Sequence, residues 1–114
     1  MECNAQERRR HQRVEARVLI AYQNADQFFT DYIQNISLGG IFVPTRDPLP
    51  TDTRLLISFS LPGCERAITT TGVVIRSLDA DADPVHGPAG MGIQFCALGE
   101  DDLQLIDTYV ESML

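Results

Sequence analysis

Apolar and polar residues alternate along most of this chain, which is the two-residue period of a β-strand. The longest clear run covers residues 13–22, where every second residue from Val14 is apolar. Turn residues such as Asn24-Ala25-Asp26 and Pro62-Gly63 separate it from further runs of the same kind. The pattern predicts six strands, over residues 13–22, 28–37, 41–45, 55–61, 66–78 and 91–96.

The last fifteen residues follow a different pattern. Three acidic residues, 100–102, come directly after Gly99 and suit the positive end of a helix dipole. Apolar residues then recur at helical spacing from Leu103 to Met113, which predicts a helix over about 99–113. Gly72, inside the fifth strand, predicts a bulge or a bend there. Six short strands and one helix predict a mainly β fold, a six-stranded antiparallel barrel with a C-terminal helix.

The length of 114 residues suits one domain. Residues 1–12 lack a hydrophobic period, so we expect a flexible, arginine-rich arm followed by a barrel domain over 13–114. The arm has no apolar segment of the kind that a secretory signal needs. No apolar run approaches the roughly 20 residues that span a bilayer. We therefore expect a cytoplasmic protein without a membrane partner.

Charge is distributed unevenly between the arm and the rest. Residues 1–17 hold five arginines and three acids, a net charge of 5 − 3 = +2. The remaining residues hold four arginines and thirteen acids, a net charge of −9, and there is no lysine. Nucleic-acid binding needs a broad positive surface, so we expect no nucleic-acid partner. A basic arm on an acidic body suits a small anion or an acidic partner protein.

The sequence gives no support to catalysis or to a metal site. Ser37 with His11 or His86 lacks the local signature of a serine hydrolase. The alternating acids of 79–83 resemble part of a calcium loop, but Pro84 and Gly90 stand where that loop needs glycine and glutamate. The three cysteines form no Cys-x-x-Cys pair and suggest no disulfide framework and no zinc site. We predict a protein that is not an enzyme, without catalytic residues, metal or cofactor.

Residues 35–40 have the composition of a binding surface. Asn35 and Ser37 lie two apart, so both side chains leave the same face of an extended chain. Gly39 and Gly40 then allow a positive φ or the close approach of another group. The stretch predicts either a face for a flat, hydrogen-bonding ligand or a turn that uses its own Asn and Ser side chains.

Arginines near the N-terminus favour the ligand interpretation. Arg9 and Arg13 are four residues apart, and an overlapping match joins Arg13 to Arg17. Guanidinium groups grip phosphate oxygens in pairs and also pair with guanine edges. The chain resembles a PilZ domain in the order of its motifs. Arg9-x-x-x-Arg13 comes first, then a strand pair, and then Asn35-x-Ser37-x-x-Gly40, with 21 residues between Arg13 and Asn35. The resemblance continues through residues 40–43, 61–63, 90–95 and the terminal helix, as in single-domain PilZ proteins common in myxobacteria-like lineages.

The resemblance implies a function as well as a fold. PilZ domains of this kind are non-catalytic receptors that bind the second messenger cyclic di-GMP. It implies that Arg9 and Arg13 contact phosphate and guanine, and that Asn35 and Ser37 hydrogen-bond a guanine edge or a phosphate. Ligand binding would then order residues 1–12, and a partner protein of motility, adhesion or chemotaxis would detect the change. The alternative is a ligand-independent PilZ-like adaptor. The full set of implied ligand residues is Arg8, Arg9, Arg10, Arg13, Asn35, Ser37, Gly39 and Gly40.

Overall fold

The computed structural model describes residues 12–79 and 89–114. Within them lie eight strands, which form one antiparallel sheet, and one helix. The strands are β1 (Val14–Glu15), β2 (Leu19–Asn24), β3 (Gln27–Tyr32), β4 (Asn35–Ile36), β5 (Gly40–Val43), β6 (Arg54–Phe59), β7 (Ile68–Leu78) and β8 (Gly90–Phe95), and the helix is α1 (Glu100–Ser112).

Strands β1 to β4 are two long strands that are each interrupted once. β2 pairs with β3, and β1 pairs with β4, in one continuous hairpin. Backbone hydrogen bonds from Ala16 to Gln34 and from Ile33 to Val18 bridge the interruptions. Counting each arm of the hairpin as one strand gives the predicted six. The pairs then close into a ring, because β2 pairs with β6, β4 pairs with β5, and β5, β8, β7 and β6 are neighbours.

The core confirms the period-two pattern. All five alternating residues from Val14 to Tyr22 are buried, and Met91, Ile93 and Phe95 of β8 are buried in the same way. Burying such side chains stabilises a fold by about 1.5–3 kcal/mol each. The predicted barrel with a C-terminal helix is therefore confirmed.

Of the bulge or bend predicted at Gly72, the bulge is wrong in position. The register of β7 against β8 shifts between Val74 and Arg76, two residues later. Gly72 is needed for a different reason, because a Cβ there would lie 2.7 Å from Ile57 Cδ1. Because of this shift, the Arg76 side chain is exposed, although a strict alternation would place it on the same buried side as Val74.

Helix α1 packs on the barrel through two of the four residues that its pattern predicts, together with the partly buried Leu105 and Tyr109. Ile106 and Val110 are buried, whereas Leu103 is 38% exposed and Met113 is 52% exposed. An ion pair between Arg66 Nη1 and Asp102 Oδ1, 2.8 Å apart, joins its first turn to the β6–β7 connection. In the described part of the chain, no helix is long and apolar enough to cross a bilayer. The predicted arm, apart from Gln12, lies outside the described residues, as do residues 80–88 of the predicted loop.

Candidate ligand-binding site

The two predicted motifs meet on one face of the barrel. β1 and β4 pair with Val14 opposite Ile36 and Glu15 opposite Asn35. Continuing that register by one residue places Arg13 across from Ser37. Val14 and Ile36 are buried, whereas Arg13 and Glu15 are exposed and Asn35 is partly exposed, so these three residues belong to the outer face. Residues that are 22 positions apart in sequence thereby become cross-strand neighbours.

A hydrogen bond joins the motifs directly. Arg13 Nη1 donates to Asn35 Oδ1 over 2.7 Å, a short distance that is typical of a charge-assisted bond. Arg13 is exposed, and partial loss of water around its guanidinium lowers its pKa from the ordinary value. An arginine titrates so far above neutral pH that it stays cationic. The face therefore presents a fixed positive charge together with the amide group of Asn35.

Ser37 has a turn role in this structure. It is 1% exposed, and its Oγ accepts a hydrogen bond from the Gly39 amide over 3.1 Å. Its own amide donates to the Gly40 carbonyl over 2.9 Å. These contacts are the geometry of the turn alternative. A hydroxyl also carries one donor, and within the described residues the Ser37 donor makes no hydrogen bond.

Close strand packing explains one of the two motif glycines. Gly40 is the first residue of β5 and lies opposite Gln94 of β8. A Cβ at Gly40 would overlap the carbonyl oxygen of Ile93. A positive φ is not the reason, since Gly63 and Gly90 are the described glycines with positive φ. The Gly39 carbonyl accepts from the Phe95 amide over 2.9 Å, so both glycines hold β5 against β8.

Part of the predicted site can be located and part cannot. Arg13, Asn35, Ser37, Gly39 and Gly40 lie together at the junction of β1, β4 and β5. The remaining predicted ligand residues, Arg8, Arg9 and Arg10, lie outside the described residues, as does His11.

Two neighbouring charged residues were not among the predicted site residues. Glu15 lies opposite Asn35 and is exposed, so it adds a negative charge beside Arg13. The period-two spacing from Arg13 is the sequence signal that could have indicated it. Arg17, the end of the overlapping arginine match, has its guanidinium 4.4 Å from the centre of the Tyr32 ring. That cation–π contact engages Arg17 with the aromatic ring of Tyr32.

The structure also contains a shallow cleft of about 450 Å³ on the outer side of β2 and β6. It is lined by residues that include Arg17, Ala21, Ser58 and Pro62, and not by Arg13, Asn35 or Ser37. Among the residues that the structure describes, no three His, Cys, Asp or Glu side chains cluster as metal ligands do. The candidate site is the exposed surface around Arg13 and Asn35, which offers hydrogen-bonding groups and a positive charge.

Solved structures share this fold. The Bacillus subtilis inhibitor of motility MotI/DgrA aligns with a TM-score of 0.76 at 23% identity, over 98% of this chain and 51% of its own length. The PilZ domain of YcgR from Escherichia coli with c-di-GMP aligns with a TM-score of 0.66 at 15% identity, over 93% and 91%. This chain therefore spans about half the length of MotI/DgrA. No curated protein sequence matches it.

The family assignment comes from the sequence as a whole. A family model described as the PilZ domain matches residues 7–112, which include both predicted motifs, the barrel and the whole of α1. The expected resemblance is confirmed, and this chain belongs to the PilZ domain family.

Proposed function

We propose that this chain is a non-catalytic receptor for cyclic di-GMP. The observation that carries the proposal is the 2.7 Å bond between Arg13 and Asn35, which joins the two motifs on one exposed face. The structural similarity to the YcgR PilZ domain, described with c-di-GMP, supports the same ligand.

The chemistry of the ligand suits the residues on that face. Cyclic di-GMP carries two phosphates and two guanines, and a guanidinium can bind either a phosphate or the O6 and N7 atoms of guanine. Asn35 offers both a carbonyl acceptor and an NH₂ donor, so it can pair with a guanine edge. Ser37 retains one donor that no described residue uses. We assign Arg13 to a phosphate or guanine, and Asn35 and Ser37 to polar ligand atoms.

The arm extends the proposed site. Arg8, Arg9 and Arg10 precede Arg13 closely in sequence and would add positive charge around a ligand bound at Asn35. A ligand held by both the arm and the barrel would order residues 1–12 against the barrel. The difference in the ligand's affinity for the ordered and the unordered arm limits how far this equilibrium shifts. A partner protein would then recognise the changed surface. MotI/DgrA is named as an inhibitor of motility, and this name favours a partner protein that belongs to a motility system.

Titration calorimetry with cyclic di-GMP tests the proposal. We expect wild-type protein to bind and Arg13→Ala to bind at least about tenfold more weakly, since a hydrogen bond to a charged group contributes about 1.5–3 kcal/mol. Arg9→Ala tests the arm in the same way. Arg54→Ala is the matched control, because Arg54 is an exposed arginine at the start of β6, outside both motifs. Equal affinity for Arg13→Ala and wild type would show that the site is elsewhere.

The same titration separates receptor from adaptor. A correctly folded wild-type protein that does not bind cyclic di-GMP would favour the ligand-independent PilZ-like adaptor. The observation that favours this second function is the internal use of Ser37, which is 1% exposed and accepts a hydrogen bond from the Gly39 amide. Partner binding without nucleotide would then be the expected activity.

A further inference from the structure

Strand β3 is an open edge in the part of the barrel that the structure describes. It pairs with β2 on one side, and no strand of the described residues pairs with its other side, since β5 pairs with β4 and β8. The hairpin turn at Ala25-Asp26 and the bond from Ile33 to the Val18 carbonyl fix the alternation of its hydrogen bonds. Backbone groups of Phe28, Thr30 and Tyr32 therefore point away from β2. An edge of this kind is a template for another strand.

The same three residues also have exposed side chains. Phe28 is 74% exposed and Tyr32 is 47% exposed, and Thr30 between them is also exposed. Leu19, which lies opposite Tyr32 on β2, is 52% exposed and continues the apolar surface. Proteins usually protect such edges with proline, lysine or bulges. Strand β3 contains none of these, and its one charged residue, Asp31, is occupied by a hydrogen bond from the Tyr22 hydroxyl.

We propose that β3 is a dimerisation edge and that its partner is β3 of a second copy of this chain. The strand is self-complementary when two copies run antiparallel about a two-fold axis at Thr30. Thr30 then lies opposite Thr30, and Phe28 of each copy lies opposite Tyr32 of the other. These three pairs are the ones whose backbone groups are free of β2, so they can exchange about six hydrogen bonds. Each dimer also gains two aromatic cross-strand pairs.

Charge favours this arrangement over other forms of self-association. The chain carries a net charge of −7, which opposes random contact between copies. The outward side chains of β3, however, are neutral, and the two-fold places Asp31 opposite Phe29 and not opposite another Asp31. In this arrangement, Asp26 of the second copy lies near the end of β3 at which Arg17 stacks on Tyr32. The Asp26 carboxylate of one copy therefore comes near the Arg17 guanidinium of the other.

The interface is small, and the dimer is expected to be weak. Six strand residues from each copy bury less than the roughly 1,200–2,000 Å² of a stable protein complex. The dimer should therefore form at high protein concentration and dissociate on dilution. This inference does not depend on nucleotide binding, because β3 contains none of the predicted ligand residues.

Sedimentation velocity over a range of concentrations tests the dimer. Wild-type protein should shift from monomer to dimer, and Thr30→Lys should raise the dimer dissociation constant at least about tenfold, because two like charges would face each other. Ile75→Lys is the matched control, since Ile75 is a 56% exposed residue of β7, which is separated from β3 by β6 and β2. A wild type that stays monomeric, or a Thr30→Lys variant that dimerises like wild type, would overturn the proposal.

Cysteine cross-linking tests the register itself. Residues that face each other in a hydrogen-bonded pair have Cα atoms about 5.5 Å apart, a distance that a disulfide spans. With the three native cysteines changed to serine, Thr30→Cys should form a covalent dimer on mild oxidation. Phe28→Cys alone should not, because its two copies would lie about 14 Å apart, but it should cross-link to Tyr32→Cys in a mixture. A Thr30→Cys variant that stays monomeric, with slow amide exchange at Phe28, Thr30 and Tyr32, would assign the edge to another segment of the chain.

Discussion

The long hairpin of this barrel carries a polar cross-strand contact at each end, and the two differ in their surroundings. At the β1–β4 end, Arg13 donates to Asn35 on an exposed face. At the β2–β3 end, the Tyr22 hydroxyl donates to Asp31 Oδ2 over 2.6 Å, and Tyr22 is 4% exposed. The Tyr22 ring also stacks on Phe29, with 5.0 Å between ring centres.

This contrast indicates which contact stabilises the fold and which is available for binding. A partly buried hydrogen bond has no water to replace it, so its loss leaves a polar group without a partner. An exposed contact exchanges readily with water or with a ligand, and it contributes little to stability. We therefore expect the Tyr22 end to determine stability and the Arg13 end to determine ligand affinity.

The largest expected effect comes from Gly40, which lies beside the ligand face but serves the fold. Gly40→Ala should destabilise the protein by several kcal/mol or prevent folding, because its Cβ would overlap the Ile93 carbonyl. Gly92→Ala is the control from the same strand pair, where the nearest atom, Arg76 Cβ, would be 3.6 Å away. Soluble yield and thermal melting measure both. A stable Gly40→Ala protein would show that β5 and β8 are less tightly packed than the structure has them.

Tyr22→Phe tests the buried end of the hairpin. It should lower the free energy of unfolding by about 1–2 kcal/mol and leave cyclic di-GMP affinity unchanged. Burial, with the hydrogen bond and the charge of Asp31, raises the pKa of Tyr22 above its ordinary value. Because the folded protein holds this proton more strongly, wild type loses the contribution as pH rises above about 10. The difference between wild type and Tyr22→Phe in denaturant unfolding should therefore shrink at alkaline pH, and a constant difference would contradict the account.

Ser37→Ala tests a residue that could contribute both to folding and to ligand binding. Loss of the bond to the Gly39 amide should lower the free energy of unfolding by about 0.5–1.5 kcal/mol. If the free hydroxyl donor also contacts the ligand, affinity should fall as well. Melting temperature and dissociation constant, measured on the same preparation, separate the two roles. A stability loss with unchanged affinity would assign Ser37 to the turn alone.

Asn35→Ala should have the smallest effect on stability. Its contact with Arg13 is exposed, so the free energy of unfolding should change by no more than about 0.5 kcal/mol. Cyclic di-GMP affinity should nevertheless fall severalfold, because a ligand polar group loses its partner. Denaturant unfolding and titration calorimetry measure these quantities. The reverse result, a clear stability loss with normal affinity, would make the two ends of the hairpin equivalent.

Sequence alone predicted the strands well because burial of one face imposes a period of two. The alternation from Val14 to Tyr22 is the clearest example. The sequence pattern misplaced the β7 bulge, since the register shift after Val74 depends on how β8 aligns with β7. The same limit applies to the site. The order of the motifs indicated Arg13 and Asn35, but the hydrogen bond between them and the burial of Ser37 depend on pairing between distant strands.

We expect Arg13 to act in ligand binding and not in folding. Thermal melting of wild type and Arg13→Ala, with and without cyclic di-GMP, distinguishes these two roles. Without ligand, the two proteins should melt within about 4 °C of each other, since Arg13 is exposed. Ligand at about a hundred times the wild-type dissociation constant should raise the wild-type melting temperature by about 10 °C and that of Arg13→Ala by about half as much or less. An equal rise in both proteins, or a much lower melting temperature for Arg13→Ala without ligand, would contradict the account.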